Sequence, residues 1–272
     1  MNATIRPLTT ADDYQRCVEL QRATWGADFR DCVPPAILSI SQKMSSIAAG
    51  AFDSSGTLLG FVFGLTGWMD GELCHWSHML AVAEPYRDRG IGRDLKVFQR
   101  SALESQHVVA LYWSYDPLVA RNAHLNLSKL GAHVTEYVPD MYGVDPGSVT
   151  DRIIGSDRFV VRWPLQTGKR ADEQTGAPDM AAQTVLHCDT HSQAPVFEPE
   201  TDEATVRVEI PHDIQSLKTV APDVAREWRA ATRKVFQSYL ETGYRVVDFK
   251  RREDAGSSYY VLTRDASAGS AA

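Results

Sequence analysis

The sequence predicts a mixed α/β fold: a mixed sheet flanked by helices, followed by a C-terminal β-α-β-β segment that resembles a repeat of that sheet's second half. Three observations predict it. Apolar residues recur with a period of two in some segments and with a helical period in others. These segments follow one another as ββ, β-turn-helix and β-helix-β-β. The order strand, helix, strand, strand then occurs again near the C-terminus.

The individual elements follow from these periods and from capping residues, prolines and glycines at their ends. Helices are predicted over 10–22, 34–42, 90–106 and 120–130. Strands are predicted over 47–52, 58–65, 73–82, 108–115, 132–138 and 158–163. We expect these elements to form one domain over residues 1–165.

The rest of the chain changes in composition twice. Residues 166–203 are rich in Gly, Pro, Thr, Asp, Glu and Gln with little periodicity, which predicts a linker. Residues 204–264 predict a β-α-β-β subdomain, and 265–272 a disordered tail. Four elements alone bury little surface, so we expect the subdomain to pack against the first domain or against a partner subunit. A homodimer is therefore one of the open alternatives.

The composition excludes several classes of function. With 272 residues and 43% hydrophobic residues, the chain can bury a substantial core, and its net charge of −7 gives no general attraction for nucleic acid. The N-terminus has no basic segment before an apolar run, and no later run is long enough to span a membrane. We therefore expect a cytoplasmic protein that binds neither nucleic acid nor membrane.

The cysteines and histidines give no metal site. Cys17, Cys32, Cys74 and Cys188 are scattered, without the paired spacing of a zinc site or the density of a disulfide framework. His187 and His191 stand close together, but no further ligands are evident around them. We predict no metal.

The segment from Leu80 to Leu95 carries the strongest chemical signal. A strand leads into a turn with the pattern Arg87-x-x-Gly90-x-Gly92, and a helix starts within the turn. Glycines let the backbone approach a ligand closely, and the free amides at a helix start attract an anion. The turn lacks both the dinucleotide fingerprint and the Walker loop. It predicts a pyrophosphate site of another kind.

This pattern resembles the acyl-CoA motif of the GCN5-related N-acetyltransferase (GNAT) superfamily, over about residues 3–165. The resemblance implies a GNAT-type sheet and an acetyl-CoA or other short acyl-CoA co-substrate. It implies that Leu80, Ala81 and Val82 bind the pantetheine arm. The pyrophosphate would lie on Arg87, Asp88, Arg89, Gly90, Ile91, Gly92 and Arg93. Asn122 fits a position that contacts the CoA arm, although a helix cap explains it as well.

The resemblance implies direct attack of an amine on the thioester, which needs proton handlers. The family's usual Tyr is replaced by Leu127. Under a two-residue period His78 shares a face with Leu80 and Val82, which makes it a candidate base.

The other catalytic candidates come from the fifth strand and from the repeat. Ser114, Tyr115 and Asp116 end the fifth strand, where Asp116 could equally fix a turn. Tyr239 has the family's Tyr-x-x-x-Gly spacing in the repeat, where simple packing is the alternative.

Aromatic residues near the expected acceptor side indicate the kind of acceptor. Trp25, Phe29, Trp68 and Trp113 favour an acceptor with an apolar body, although each could be core packing. We expect an acyltransferase that moves an acetyl, or another short acyl such as succinyl, to the primary amine of a small molecule. The alternatives are O- or protein-lysine acylation, and a non-catalytic acyl-CoA-binding module.

Overall fold

The computed structural model of the chain describes residues 3–143, 151–165, 182–199, 201–251 and 257–264. Contacts between residues divide the chain into two compact units. The described part of the first unit comprises residues 3–113 and 162–165. The described part of the second comprises 114–143, 151–161, 182–199, 201–251 and 257–264. The predicted linker over 166–181 and the predicted tail over 265–272 lie outside the described residues.

The helices and strands alternate along the chain largely as predicted. The described helices are α1 Ala11–Trp25, α2 Pro35–Lys43, α3 Ile91–Leu103, α4 Ala120–Ala123, α5 Asp151–Ile154, α6 Ile214–Val220 and α7 Pro222–Glu241. The strands of the first sheet are β1 Thr4–Pro7, β2 Ile47–Phe52, β3 Leu58–Met69, β4 Glu72–Val82, β5 Ala110–Tyr115, β6 His133–Val138 and β7 Arg158–Pro164. Those of the second sheet are β8 Gln183–Cys188, β9 Pro195–Phe197, β10 Thr205–Pro211, β11 Tyr244–Lys250 and β12 Ser257–Arg264.

The first sheet has seven strands in the order β1-β2-β3-β4-β5-β7-β6. Strands β1 to β4 pair antiparallel, whereas β4 and β5 pair parallel, so the sheet is mixed. The turn between β3 and β4 is Asp70-Gly71, and both residues have positive φ, as the tightest hairpin turns require. The predicted mixed α/β fold is confirmed.

Two layers of helix bury the strands of the first unit. Helix α1 begins with a capping box in which Thr10 and Asp13 satisfy each other's backbone amides. On this side of the sheet, Phe61, Phe63 and Met79 join a buried cluster with Cys17 of α1 and Leu38 of α2. The opposite side is covered by α3, whose Ile91 and Leu95 pack with Leu59, Val62, Leu80 and Val82. Strands β3 and β4 are therefore covered on both faces along much of their length.

The second unit contains a five-stranded sheet in the order β11-β12-β10-β8-β9. Strand β8 runs parallel to β10, and β9 pairs antiparallel with β8. The linker prediction for 166–203 is therefore wrong for residues 183–188 and 195–197. Their apolar signals, such as Val185 and Leu186, are short, and their strand character depends on pairing with the distant β10, which a local pattern does not reveal.

The turn after β8 satisfies its own amides. Asp189 Oδ1 accepts hydrogen bonds from the backbone amides of His191 and Ser192 at 3.1 and 2.7 Å, and from Ser192 Oγ at 2.8 Å. No helix follows this turn; the chain returns directly as β9. The carboxylate thus occupies the concave side of the turn.

The strand order supports the predicted internal repeat. After β5, the chain forms helix α4, edge strand β6 and then β7, which inserts between β5 and β6. After β10, it forms α6 and α7, edge strand β11 and then β12, which inserts between β10 and β11. The same insertion of the last strand occurs in both sheets, with α6 as an addition that the sequence did not predict.

Candidate functional site

The predicted anion-binding turn connects β4 to α3 within the first unit. Gly90 is the N-cap of α3 with φ of 85°, and Asp88 also has a positive φ of 60°. The N-cap is a glycine, which has no side chain to cap the amides of the first turn. Arg87 Nε donates to the Val82 carbonyl at 3.1 Å, which holds the start of the turn against the strand. Amides at a helix start and the helix dipole are features that favour an anion.

The strand that leads into this turn leaves its neighbour before it ends. Strands β4 and β5 pair over three residues, and the last pair is Trp76 with Tyr112. Strand β4 continues to Val82. In the described residues, the edge of β4 beyond Trp76 has no partner on β5. Its backbone groups are available to an extended ligand arm, as strand edges generally are.

A β-bulge lies in β4 at this point of separation. Phe63 pairs with Met79 and Leu65 with Trp76, so Ser77 and His78 together oppose Gly64 alone. A Cβ at Gly64 would lie 2.3 Å from His75 Nε2 and 2.6 Å from the Trp76 carbonyl oxygen. Only glycine fits there, and the bulge changes which face the following residues occupy.

His78 lies on a different face from the one predicted. Leu80 and Val82 pack with α3, but the His78 ring lies 6.2 Å from Phe63, on the side of α1 and α2. The two-residue period fails here because the bulge inserts one extra residue. His78 is exposed, and the surrounding protein lowers its pKa by desolvation, which attraction to Asp31 partly opposes. A neutral imidazole at this position can accept a proton.

The α3 side of the bulge holds a buried polar row that sequence reasoning missed. His75 Nε2 lies 2.9 Å from Gln99 Nε2, and His75 Nδ1 lies 2.9 Å from Thr66 Oγ1. Burial, with the nearby Lys96 charge, lowers the pKa of His75 to about 3. His75 is therefore neutral at pH 7.

Lys96 lies where β4 and β5 separate. Its Nζ donates to Ser77 Oγ at 2.7 Å and lies 3.7 Å above the ring of Trp113. Ser77 and Trp113 directly follow the last β4–β5 pair, so the lysine touches both diverging strands from the α3 side. Burial lowers the pKa of Lys96 well below its usual value. The sequence analysis did not single out Lys96, although its position directly after Leu95 was an available signal.

The predicted acceptor aromatics of the first unit have separate environments. Trp25 stacks on Phe29, with ring centroids 5.4 Å apart, and both pack against the buried cluster of α1 and α2. Trp113 is buried under Lys96 and contacts Trp163 edge-on. Trp68 is 75% exposed and lines a cavity. Of the four, only Trp68 has the exposed position expected of an acceptor-binding residue.

The predicted residues at the end of β5 belong to the second unit. Tyr115 is buried, and its hydroxyl lies 3.5 Å from that of Tyr260. Burial raises the pKa of Tyr115. Asp116 is buried in an ion pair with Arg229, at 2.8 Å between Oδ2 and Nη2. These environments favour structural roles for both, and their catalytic assignment stays a prediction.

The remaining predicted residues also lie in the second unit. Ser114 is half-buried, and its hydroxyl lies 2.8 Å from that of Tyr142. Asn122 is half-buried in the first turn of α4. Leu127 is buried in a π-helical continuation of α4 over His124–Lys129. Tyr239 is buried edge-on against Tyr244 at 4.9 Å, which favours the packing alternative.

The described residues contain no group of three or more His, Cys, Asp or Glu side chains that could hold a metal ion. His187 Nδ1 lies 3.2 Å from Glu198.

None of the helices within the described ranges is long and apolar enough to cross a membrane.

Among known proteins, solved structures resemble this chain, whereas the sequence comparisons found no match. No family model matches the sequence, and no curated protein matches it. The solved structure of a GNAT-family acetyltransferase from Streptococcus pneumoniae matches 61% of this chain and 100% of its own, at 15% identity and a TM-score of 0.47. The ribosomal-protein-S18-alanine N-acetyltransferase from Escherichia coli matches 62% of this chain and 98% of its own, at 17% identity and a TM-score of 0.46.

An aminoglycoside 6'-N-acetyltransferase complexed with coenzyme A matches 61% of this chain and 98% of its own, at 15% identity and a TM-score of 0.45. Each of these three structures leaves more than a third of the chain unmatched. Over the matched part, the chain is similar in structure to acetyltransferases, one of which is of the GNAT family.

Proposed function

We propose that the protein transfers an acetyl or another short acyl group from CoA to the primary amine of a small molecule. The observation that carries this proposal is a single continuous segment of the first unit. A bulged strand leaves its neighbour at Trp76 and leads directly into a helix start with uncapped amides at Gly90–Arg93. The strand edge suits the pantetheine arm, and the helix start suits the pyrophosphate.

The donor site is assigned to Leu80, Ala81 and Val82 and to the turn Arg87–Arg93. A Cβ at Gly92 would meet Leu80 Cδ2 at 3.5 Å, which is ordinary contact, so packing alone does not demand glycine there. A small residue at this position leaves the amides open to a ligand from the strand side. Backbone groups, and not charged side chains, would therefore hold the phosphates.

His78 is the proposed general base. In the transfer, the amine nitrogen forms a bond to the thioester carbonyl carbon, the carbon–sulfur bond breaks, and the amine loses one proton while the CoA thiolate gains one. His78 is exposed on the strand that would carry the thioester, and its lowered pKa keeps the imidazole neutral at pH 7. It can take the amine's proton and pass it on, which balances the reaction without an acyl-enzyme.

The alternative function is a non-catalytic acyl-CoA-binding module, which three side chains at candidate catalytic positions support. Leu127 replaces the family's usual acid, and Tyr115 and Tyr239 are buried. Acylation of a hydroxyl group or of a protein lysine would use the same donor site, so measured turnover against acceptors of each class distinguishes these readings.

The donor site is tested by placing a negative charge in the turn. Gly92→Asp adds a carboxylate in the first turn of α3, where acidic residues stabilise a helix but repel an anion. We expect acetyl-CoA affinity to fall at least about tenfold by calorimetry, because like charges would meet. Ser54→Asp is the control, because it adds the same carboxylate at an exposed position of the first unit between β2 and β3. Equal affinity in the Gly92 variant and the wild type would reject this donor site.

Catalysis is tested by CoA release against a panel of amines. We expect His78→Gln to lower kcat/KM by roughly 10²-fold or more while acetyl-CoA affinity is kept, because a base is lost. In the wild type, kcat/KM should rise with pH through a pKa below 6.5 and then stay level, because the neutral imidazole is the active form. His191→Gln, at an exposed histidine of the second unit, is the control. Tight acetyl-CoA binding without turnover of any amine would favour the binding module.

A further inference from the structure

We infer that the acceptor is an amine with an apolar side chain, which binds a cavity on β3, β4 and β5 beside His78. This inference rests on the proposed function and specifies its substrate class. The cavity has a volume of about 230 Å³ and lies within the first unit. Its lining residues are uncharged: Leu65, Thr66, Gly67, Trp68, Met69, Cys74, Trp76 and Tyr112.

Trp76 of the cavity lining and His78 lie on the same side of the sheet. Ser77 and His75 point toward α3, where they contact Lys96 and Gln99. Trp76, between them in sequence, therefore points to the opposite side, and the bulge places His78 on that side as well. Two residues along a strand span roughly 7 Å. A side chain held against Trp76 would thus bring its amine close to the imidazole.

The size of the cavity limits what it binds. Cavities for whole ligands commonly measure about 300–1,000 Å³, so 230 Å³ suits one side chain of a larger molecule. The floor comes from three neighbouring strands, and Tyr112 is held in place by Arg162, whose Nε donates to the Tyr112 hydroxyl at 3.0 Å. Gly67 adds no side chain, which keeps the space open.

The chemistry of the lining selects an apolar group. Trp68 is 75% exposed and Leu65 is 45% exposed, so a bound apolar group would remove their surfaces from water. Aromatic walls with few polar groups are typical of sites for aromatic and aliphatic groups. Because none of the lining residues is a carboxylate, the lining itself gives no counter-charge to a polycationic acceptor such as an aminoglycoside.

The test compares amines that share a reactive group but differ in side chain. With acetyl-CoA, we expect kcat/KM for phenylalanine and leucine to exceed that for glycine and lysine by about 10–100-fold, from the surface that each side chain buries. Trp68→Ala should reduce that preference about tenfold and leave acetyl-CoA affinity unchanged. Met44→Ala is the matched control, because Met44 is 71% exposed and does not line the cavity.

The outcomes separate the inference from the proposed function. If amines are acetylated without preference for apolar side chains, or if Trp68→Ala leaves the preference intact, the inference fails while the proposed function stands. If no amine is acetylated, the proposed function fails. Calorimetric binding of phenylalanine to the CoA-loaded protein then tests, independently of turnover, whether the cavity binds an apolar side chain. Binding that Trp68→Ala weakens would then support the cavity, and no binding would overturn it.

Discussion

The two units bury basic side chains in opposite ways. In the first, Lys96 contacts a serine and a tryptophan ring, His75 contacts a threonine and a glutamine, and none of the described carboxylates pairs with either. In the second, Arg229 pairs with Asp116, and Arg233 pairs with Asp157 and Asp140. The first unit thus gives its buried bases uncharged partners, whereas the second pairs its arginines with carboxylates.

The pKa directions agree with this difference. Burial lowers the pKa of Lys96 well below its usual value, and it lowers the pKa of His75 to about 3, so that His75 is neutral at pH 7. Burial alone would raise the pKa of Asp116, but the charges of Arg229, Arg158 and Lys218 and the hydrogen bond from Arg229 together more than offset it, and the pKa lies below its usual value. A buried base without a carboxylate titrates, while one with a carboxylate stays ionised. The two units should therefore respond differently to mutation and to pH.

The largest expected effect comes from breaking an ion pair of the second unit. Asp116→Ala leaves Arg229 buried without its counter-charge and should lower the free energy of unfolding by about 3–5 kcal/mol. Urea unfolding measures the loss. Asp223→Ala is the control, because its side chain is 88% exposed in its pair with Arg226 and should matter by less than about 1 kcal/mol. A loss below about 1 kcal/mol in Asp116→Ala would contradict the pairing argument.

The next effect is an acid sensitivity confined to the first unit. The pKa of His75 is about 3 in the fold, against about 6.5 when unfolded. Between these values the unfolded state binds one more proton, so stability falls as the pH falls below 6.5. From pH 7 to pH 5 this residue should cost about 2 kcal/mol, by the linkage relation.

Hydrogen exchange at pH 7 and pH 5 measures the loss in amides of β3, β4 and α3. His75→Asn should remove most of this pH dependence, whatever its effect on absolute stability. A wild-type first unit that is equally protected at both pH values would show that His75 is protonated in the fold.

The smallest effect has the opposite sign. Lys96→Met removes a buried amine and should raise the free energy of unfolding at pH 7 by on the order of 1 kcal/mol, because relief of the amine's desolvation is partly offset by the lost hydrogen bond to Ser77. Because the folded pKa is lowered, wild-type stability should rise with pH up to about 10.4, and the variant should lack that rise. Lys43→Met, at an exposed lysine, is the control. A less stable Lys96 variant at pH 7 would indicate a charged amine.

Local patterns predicted the parts of the molecule that depend on local chemistry. The α/β order, the capped helix α1 and the turn at Arg87–Gly92 follow from residues close together in sequence. The Asp70-Gly71 turn carried a strong hairpin signal that sequence reasoning did not use. It would have extended the predicted hairpin strand from Leu65 to Met69.

The features that were missed depend on pairing between distant segments. The bulge at Ser77–His78 exists only relative to β3, so a two-residue period gave His78 the wrong face. Lys96 counts as polar in a periodicity, and only its contacts with Ser77 and Trp113 make it a buried residue. Strands β8 and β9 are short, and they are ordered by the sheet around them.

The carboxylate of Asp189 has a consequence for stoichiometry. Both sheets contain a parallel pair of strands with a turn after the first of the two, β4 in one sheet and β8 in the other. After β4, the N-cap of α3 is a glycine without a capping side chain; after β8, Asp189 supplies an internal acceptor to the amides of its turn. Under the proposed function, only the turn after β4 would bind the donor, and a calorimetric titration should saturate at one CoA per chain.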